Sequence, residues 1–276
     1  MSVPDLSDVD GDVYVTPRYL AGSSGVGDAG FAPVAHWPHH HLDEGPYQLV
    51  VTSPDHRIRI GWAGDDYYLW TITAAPDAVS AHRWSVIANQ NTPAELVGAL
   101  TAALAEDWAP DQDRFLSAPA GWSNSLTLLA DAGWQLRHAG PGVIGALAPG
   151  GQAGAVADLR RHGAQDEVFT LWAGPEGWAT QAEITFTANT PSHLLLAVAK
   201  AFADPAPVAR WRENLHPALA ARAQLTPITP PRPAVPTPRD VRPRVAVRHP
   251  VAIGSVPRWS TSTPSALLPA RAAARR

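Results

Sequence analysis

Between Val13 and Asn89 apolar and polar residues alternate in short bursts broken by turn formers, the two-residue rhythm of strands with one buried face. VYVTPRYLA (13–21) opens the series. PYQLVVTS (46–53), HRIRIGW (56–62), YYLWTITA (67–74) and HRWSVIAN (82–89) follow, separated by turn residues such as Pro54-Asp55 and Gly64-Asp65-Asp66. In HRIRIGW, Ile58 and Ile60 mark one face, Arg57 and Arg59 the other. Strands joined this closely must pair antiparallel, because a parallel pair needs a crossover of about a dozen residues. Gly27–Trp37 reads as a short helix stopped by Pro38. From Thr92 the rhythm changes to a helical one. Leu96, Leu100 and Leu104 form a stripe, with Thr92 placed as N-cap, Pro93 at the first helical position and Glu95 completing a capping box. The order is β-α-β-β-β-β-α.

The same order returns downstream. WSVIANQNTPAELVGALTAALAED (84–107) aligns with AEITFTANTPSHLLLAVAKAFADP (182–205), and Trp37 aligns with Trp134 at nearly the same offset. The chain thus divides into a flexible acidic lead (1–11), a first unit (12–108), a second unit (114–206), a helical extension interrupted at Pro217 (207–224), and a Pro/Arg-rich remainder (225–276). Proline at that density opposes helix and sheet, so the remainder is expected to be disordered. The expected fold class is α+β: two tandem units with antiparallel sheets, set side by side in one pseudo-symmetric sheet. Saddle-shaped and clamp-type nucleic-acid proteins are arranged in this way, though fold does not fix function.

Charge adds a second asymmetry. Residues 1–204 carry 9 Lys/Arg against 23 Asp/Glu, whereas residues 205–276 carry 12 against 2, so an acidic body precedes a basic tail. The absence of cysteine excludes disulfides, zinc–thiolate sites, iron–sulfur clusters and cysteine nucleophiles. The acidic first residues are unlike a signal peptide and no apolar run approaches the ~18 residues of a membrane span, so a cytoplasmic protein without a membrane partner is expected.

Several stretches invite a chemical reading. Gly25-Val26-Gly27-Asp28-Ala29-Gly30 spells G-x-G-x-x-G, but a dinucleotide turn needs a buried parallel strand leading into it and a long helix after it. Pro17 and Pro38 interrupt both, so a flexible loop is expected and no cofactor. His36, His39, His41 and Asp43 are the best metal ligands by type. Adjacent histidines converge poorly on one ion, and a solvated turn after the helix is the plainer expectation. No nucleophile motif is present, and the protein is expected not to be an enzyme. The alternative is an enzyme with a small-molecule or metal site in the His36–Glu44 turn. Of the eleven tryptophans most are expected in the core, a few as stacking platforms for bases. For nucleic acid the candidates are Arg57 and Arg59, Arg160 and Arg161 at the corresponding place downstream, and the tail residues Arg239, Arg242, Arg244 and Arg248. The tail's prolines could instead serve a protein partner.

VYVTPRYLAGSSG, AHWPHHHLDEGPYQLVVTSPDHRIRIGW and WSVIANQNTPAELVGALTAAL together resemble the actinobacterial domain of unknown function 317 family, whose members commonly carry the unit twice. The resemblance covers residues 12–206. It is sharpest in the first unit, because the second lacks the proline and most of the histidines that follow Trp37. It implies no catalytic residues. It does imply an association with plasmids and other mobile elements, and so a DNA-linked accessory role. A non-catalytic binding protein is the expectation.

Overall fold

The computed structural model describes residues 11–23, 28–64, 67–108, 113–119, 121–160, 162–177 and 180–228. The glycines at 25 and 27, Arg161 and the tail arginines lie outside them. One antiparallel sheet of ten strands dominates. Its first five strands are β2 (His39–His41), β3 (Leu49–Thr52), β4 (Ile58–Trp62), β5 (Trp70–Ala74) and β6 (Trp84–Ala88), reached through β1 (Asp12–Thr16) and the short helix α1 (Asp28–Phe31). Helix α2 (Ala94–Asp107) follows. The second half begins with α3 (Ser123–Asp131) and continues with β7 (Gln135–Gly140), β8 (Val143–Leu147), β9 (Ala153–Asp158), β10 (Glu167–Ala173), β11 (Ala182–Thr187) and α4 (Ser192–Ala203). The spatial order, β2-β3-β4-β5-β6-β11-β10-β9-β8-β7, reads as two five-strand meanders meeting at β6 and β11.

Strand alternation sorts the sheet into two faces. Ile58 and Ile60, Ile72, Val86, Ile184 and Phe186, Phe169 and Leu171 are buried on one face. The α2 and α4 stripes supply Leu96, Leu100, Leu104, Leu194, Val198 and Phe202 to the same continuous core. Each such side chain contributes about 1.5–3 kcal/mol by leaving water. Glycine lets α1 come close: a Cβ on Gly98 would lie 2.6 Å from the Ala29 carbonyl oxygen, and one on Gly30 would lie 2.6 Å from the Trp70 ring. Thr101 ties the contact by donating to the Gly30 carbonyl at 2.7 Å. Gly30, the last residue of the dinucleotide-like pattern, is thus a packing glycine. Every strand pairing is antiparallel, so the parallel centre that such a pattern requires does not occur among the described residues.

Four details depart from the sequence expectation. First, β1 leaves the main sheet and pairs with β12 (Val208–Trp211) and β13 (Gln224–Pro227), so the segment read as a helical extension opens on a strand and leads into another, with only short helical turns, α5 (Pro217–Ala220) among them, in between. Second, the His39–His41 turn is an edge strand on β3. Third, among the described residues the second half opens on a 3-10 turn (Arg114–Leu116) and α3, with no counterpart of β1. Fourth, Thr92 does not cap α2. Pro93 occupies the N-cap position, and the Thr92 hydroxyl instead donates to the Glu183 carbonyl at 2.9 Å. Glu95, freed from a capping box, receives Arg210 of β12 at 2.6 Å.

Arg210 fastens the three-stranded sheet to the body. Its side chain is 4% exposed, and its guanidinium donates to both Glu95 oxygens and to the carbonyls of Ala21, Gly22 and Ala209. All five N–H groups therefore have acceptors, the condition under which a buried cation is tolerated. Among the described residues no helix is long and apolar enough to cross a membrane.

Candidate functional site

The seam between β6 and β11 shows what the repeated Asn-Thr-Pro segments do. Asn91 donates to the Gln181 carbonyl and Asn189 to the Arg83 carbonyl, each at 3.4 Å. Donors and acceptors are both spaced by 98 residues, the spacing of the sequence match itself. Asn89 Oδ1 accepts from the Glu183 N–H at 3.1 Å, and Thr187 Oγ1, its counterpart, accepts from the Ser85 N–H at 2.8 Å. These polar side chains complete a ladder that is only three residue pairs long. Their role is to join the halves, and none is left free for a ligand.

Among the described residues no helix packs on the opposite face of the sheet. Its central positions are Thr71, Thr73, Ser85, Thr185 and Thr170, following the cross-strand registers through β5, β6, β11 and β10. Arg59 is exposed on this face and donates to the Ala78 carbonyl at 2.6 Å. Arg57 is engaged at the end of β4. It pairs with Asp55 at 2.7 Å and Asp113 at 2.7 Å, and its guanidinium lies 4.8 Å over the Phe115 ring. Burial pushes the Asp55 carboxyl up, but hydrogen bonds from Ser53 and Arg57 outweigh it and bring the group down to about 2. Arg160, just past β9, is held by Asp158 through several N–H groups, and this contact holds the Asp158 carboxyl well below the usual range. Strands β4 and β9 are five steps apart in the sheet, roughly 24 Å at the usual strand spacing. The candidate arginines thus form no common patch, and two of the three described are neutralised by their own Asp-x-Arg pairs.

The histidines do not converge either. His39 Nδ1 contacts the Trp37 carbonyl at 2.6 Å, while His40 points to the other face and reaches Thr52 Oγ1 at 3.3 Å. Strand alternation separates His40 from His39 and His41, and among the described residues no group of three or more His, Cys, Asp or Glu could hold a metal ion. Trp37, Trp70, Trp84 and Trp134 are core residues, so none of them is a stacking platform. Trp172 is half-buried on the open face, Trp62, Trp108 and Trp122 are also half-buried, and Trp211 is exposed.

One polar pair has no sequence motif to announce it. Asp107, at the C-terminal end of α2, is 2% exposed and accepts from His193 Nε2 in the first turn of α4, with Arg114 Nε 3.6 Å away. The His193 N–H and the Arg114 guanidinium offset a carboxylate at the helix end where the backbone dipole opposes it. A cleft of about 190 Å³ lined by Ser117, Asn124, Ser192 and His193 adjoins this pair.

Residues 52–110 match the family model described as SPDY, domain of unknown function (DUF317), a span running from β3 through α2 and including the seam residues Asn89, Asn91 and Thr92. No curated protein and no solved structure matches the chain.

Proposed function

With residues 52–110 assigned to the DUF317 family, we propose that this chain is a non-catalytic accessory protein that binds nucleic acid through its basic C-terminal segment, the folded body acting as platform. We take the second half to be a diverged copy of the first, on the strength of the 98-residue spacing shared by sequence and seam. The observation that carries the binding reading is where arginine is spent. In the body Arg18, Arg57, Arg160 and Arg210 are each paired with a carboxylate. Beyond residue 228, nine arginines face a single acidic residue, Asp240. Arginines neutralise phosphates and release counterions, which gives sequence-independent and salt-sensitive affinity. The acidic body, with 23 Asp/Glu among residues 1–204, opposes wrapping by nucleic acid. The mobile-element association implied by the family resemblance points the same way.

A gel-shift titration of the full chain on duplex DNA between 50 and 200 mM salt tests this. Replacing Arg239, Arg242, Arg244 and Arg248 by Ala is expected to weaken binding and to reduce the slope of log K against log salt by up to ~3.6, about 0.9 per phosphate contact. Arg57→Ala is expected to leave the slope unchanged. No binding by the full chain at the lowest salt would refute the proposal.

A further inference from the structure

On the open face, near the turn between β10 and β11, the structure holds a cleft of about 430 Å³ whose chemistry is opposite to that of a phosphate site. Trp172 and Glu183 stand directly across from each other on β10 and β11. Their neighbours Leu171, Ala173, Ala182 and Ile184 fill the core, so both side chains project to the helix-free face. The indole lies across Gly154 of β9: a Cβ there would sit 2.6, 2.6 and 2.7 Å from three of its ring atoms. The ring therefore rests on backbone, fixed in place, and forms a wall of the cleft together with Thr170, Glu176, Gln181 and Arg222.

The Glu183 backbone is held by the seam. Its N–H donates to Asn89 and its carbonyl accepts from Thr92 and from the Asn89 N–H, so the strand position from which its carboxylate projects is set. Burial pushes that carboxyl up and the nearby Glu167 adds repulsion, with Thr185 pulling back only in part. Yet no ion pair is formed by Glu167, Glu176 or Glu183 among the described residues, and Arg222, although it lines the cleft, pairs with none of them. An aromatic face resting on backbone beside a half-buried carboxylate with no counter-charge among the described residues is the arrangement that recognises a planar cation, which can stack on the ring and donate two N–H bonds to the carboxylate.

We infer that this Trp172–Glu183 cleft binds the guanidinium of an arginine side chain presented by a polypeptide partner. The inference is independent of the nucleic-acid reading, which uses other residues. It is tested on the full chain by calorimetric titration with N-acetyl-L-arginine methylamide, alongside N-acetyl-L-lysine methylamide and free L-arginine. The capped arginine is expected to bind, and Trp172→Ala and Glu183→Gln to weaken it about three- to tenfold each, the usual range for a lost cation–π or charged contact. Glu183→Gln relieves the repulsion with Glu167 and is expected to keep the unfolding midpoint, which separates lost binding from lost fold. Equal binding of the lysine compound would overturn the guanidinium assignment. Tighter binding of free L-arginine that is lost in Arg222→Ala would overturn the peptide source, since Arg222 would then be holding the α-carboxylate. No binding, or binding unchanged in both cleft variants, would overturn the site.

Discussion

Arg210→Ala offers the sharpest test of how the three-stranded sheet is held. The substitution removes the acceptor contacts of the Ala21, Gly22 and Ala209 carbonyls and leaves Glu95 without its partner. Stranding a buried polar acceptor costs about 1–3 kcal/mol, and the Glu95 side chain, 26% exposed, recovers part of its hydration. Taking the low end for three carbonyls gives about 3 kcal/mol, the lower end of the 3–5 kcal/mol typical of breaking a buried pair. Glu95→Gln keeps an acceptor and the three backbone contacts, so it should cost less, about 1–2 kcal/mol. Arg210→Met combined with Glu95→Leu removes both charges but strands the same three carbonyls, so it should cost about as much as Arg210→Ala. Urea unfolding of the full chain, followed by tryptophan emission, measures all three. A loss below about 1 kcal/mol in Arg210→Ala, or an equal loss in Glu95→Gln, would refute the view that the guanidinium acts chiefly through the strand and loop carbonyls.

Two further outcomes follow from the packing and the charges. Asp55, its carboxyl lowered to about 2 by Ser53 and Arg57, contributes stability that is fully present above its unfolded value of 3.8 and is lost as pH falls from there toward 2. Asp55→Asn should flatten the acid limb of a stability–pH curve measured by chemical unfolding, and an unchanged limb would count against the assignment. Gly98→Ala should destabilise by about 1–3 kcal/mol, since the new methyl meets the Ala29 carbonyl of α1, and a neutral melting temperature would show that α1 can retreat.

Periodicity was enough to find β3 to β6 and the α2 helix, and the repeat carried β11 and α4 with them, because burial on one face writes itself into every second or every third to fourth residue. It could not place β1, whose partners β12 and β13 stand some two hundred positions later. Nor could it make a strand of three histidines: β2 forms because β3 offers it an edge. Thr92 followed by Glu95 is a sound capping signal that tertiary contacts overrode, the hydroxyl being drawn to β11 and the carboxylate to Arg210. The neutralisation of two candidate arginines was partly legible, since Asp55-x-Arg57 and Asp158-x-Arg160 place a carboxylate two residues before each. The Trp172–Glu183 cleft was not legible, because it depends on the register between β10 and β11.

The seam has a consequence for assembly. A single core cluster spans both meanders, and parting β6 from β11 would bare an unpaired strand edge in the middle of the sheet. Neither half-molecule is then self-sufficient, and each is the natural complement of the other. At high concentration, or after partial unfolding, the first half of one molecule can close on the second half of its neighbour with the same bonds, yielding exchanged dimers at little enthalpic cost.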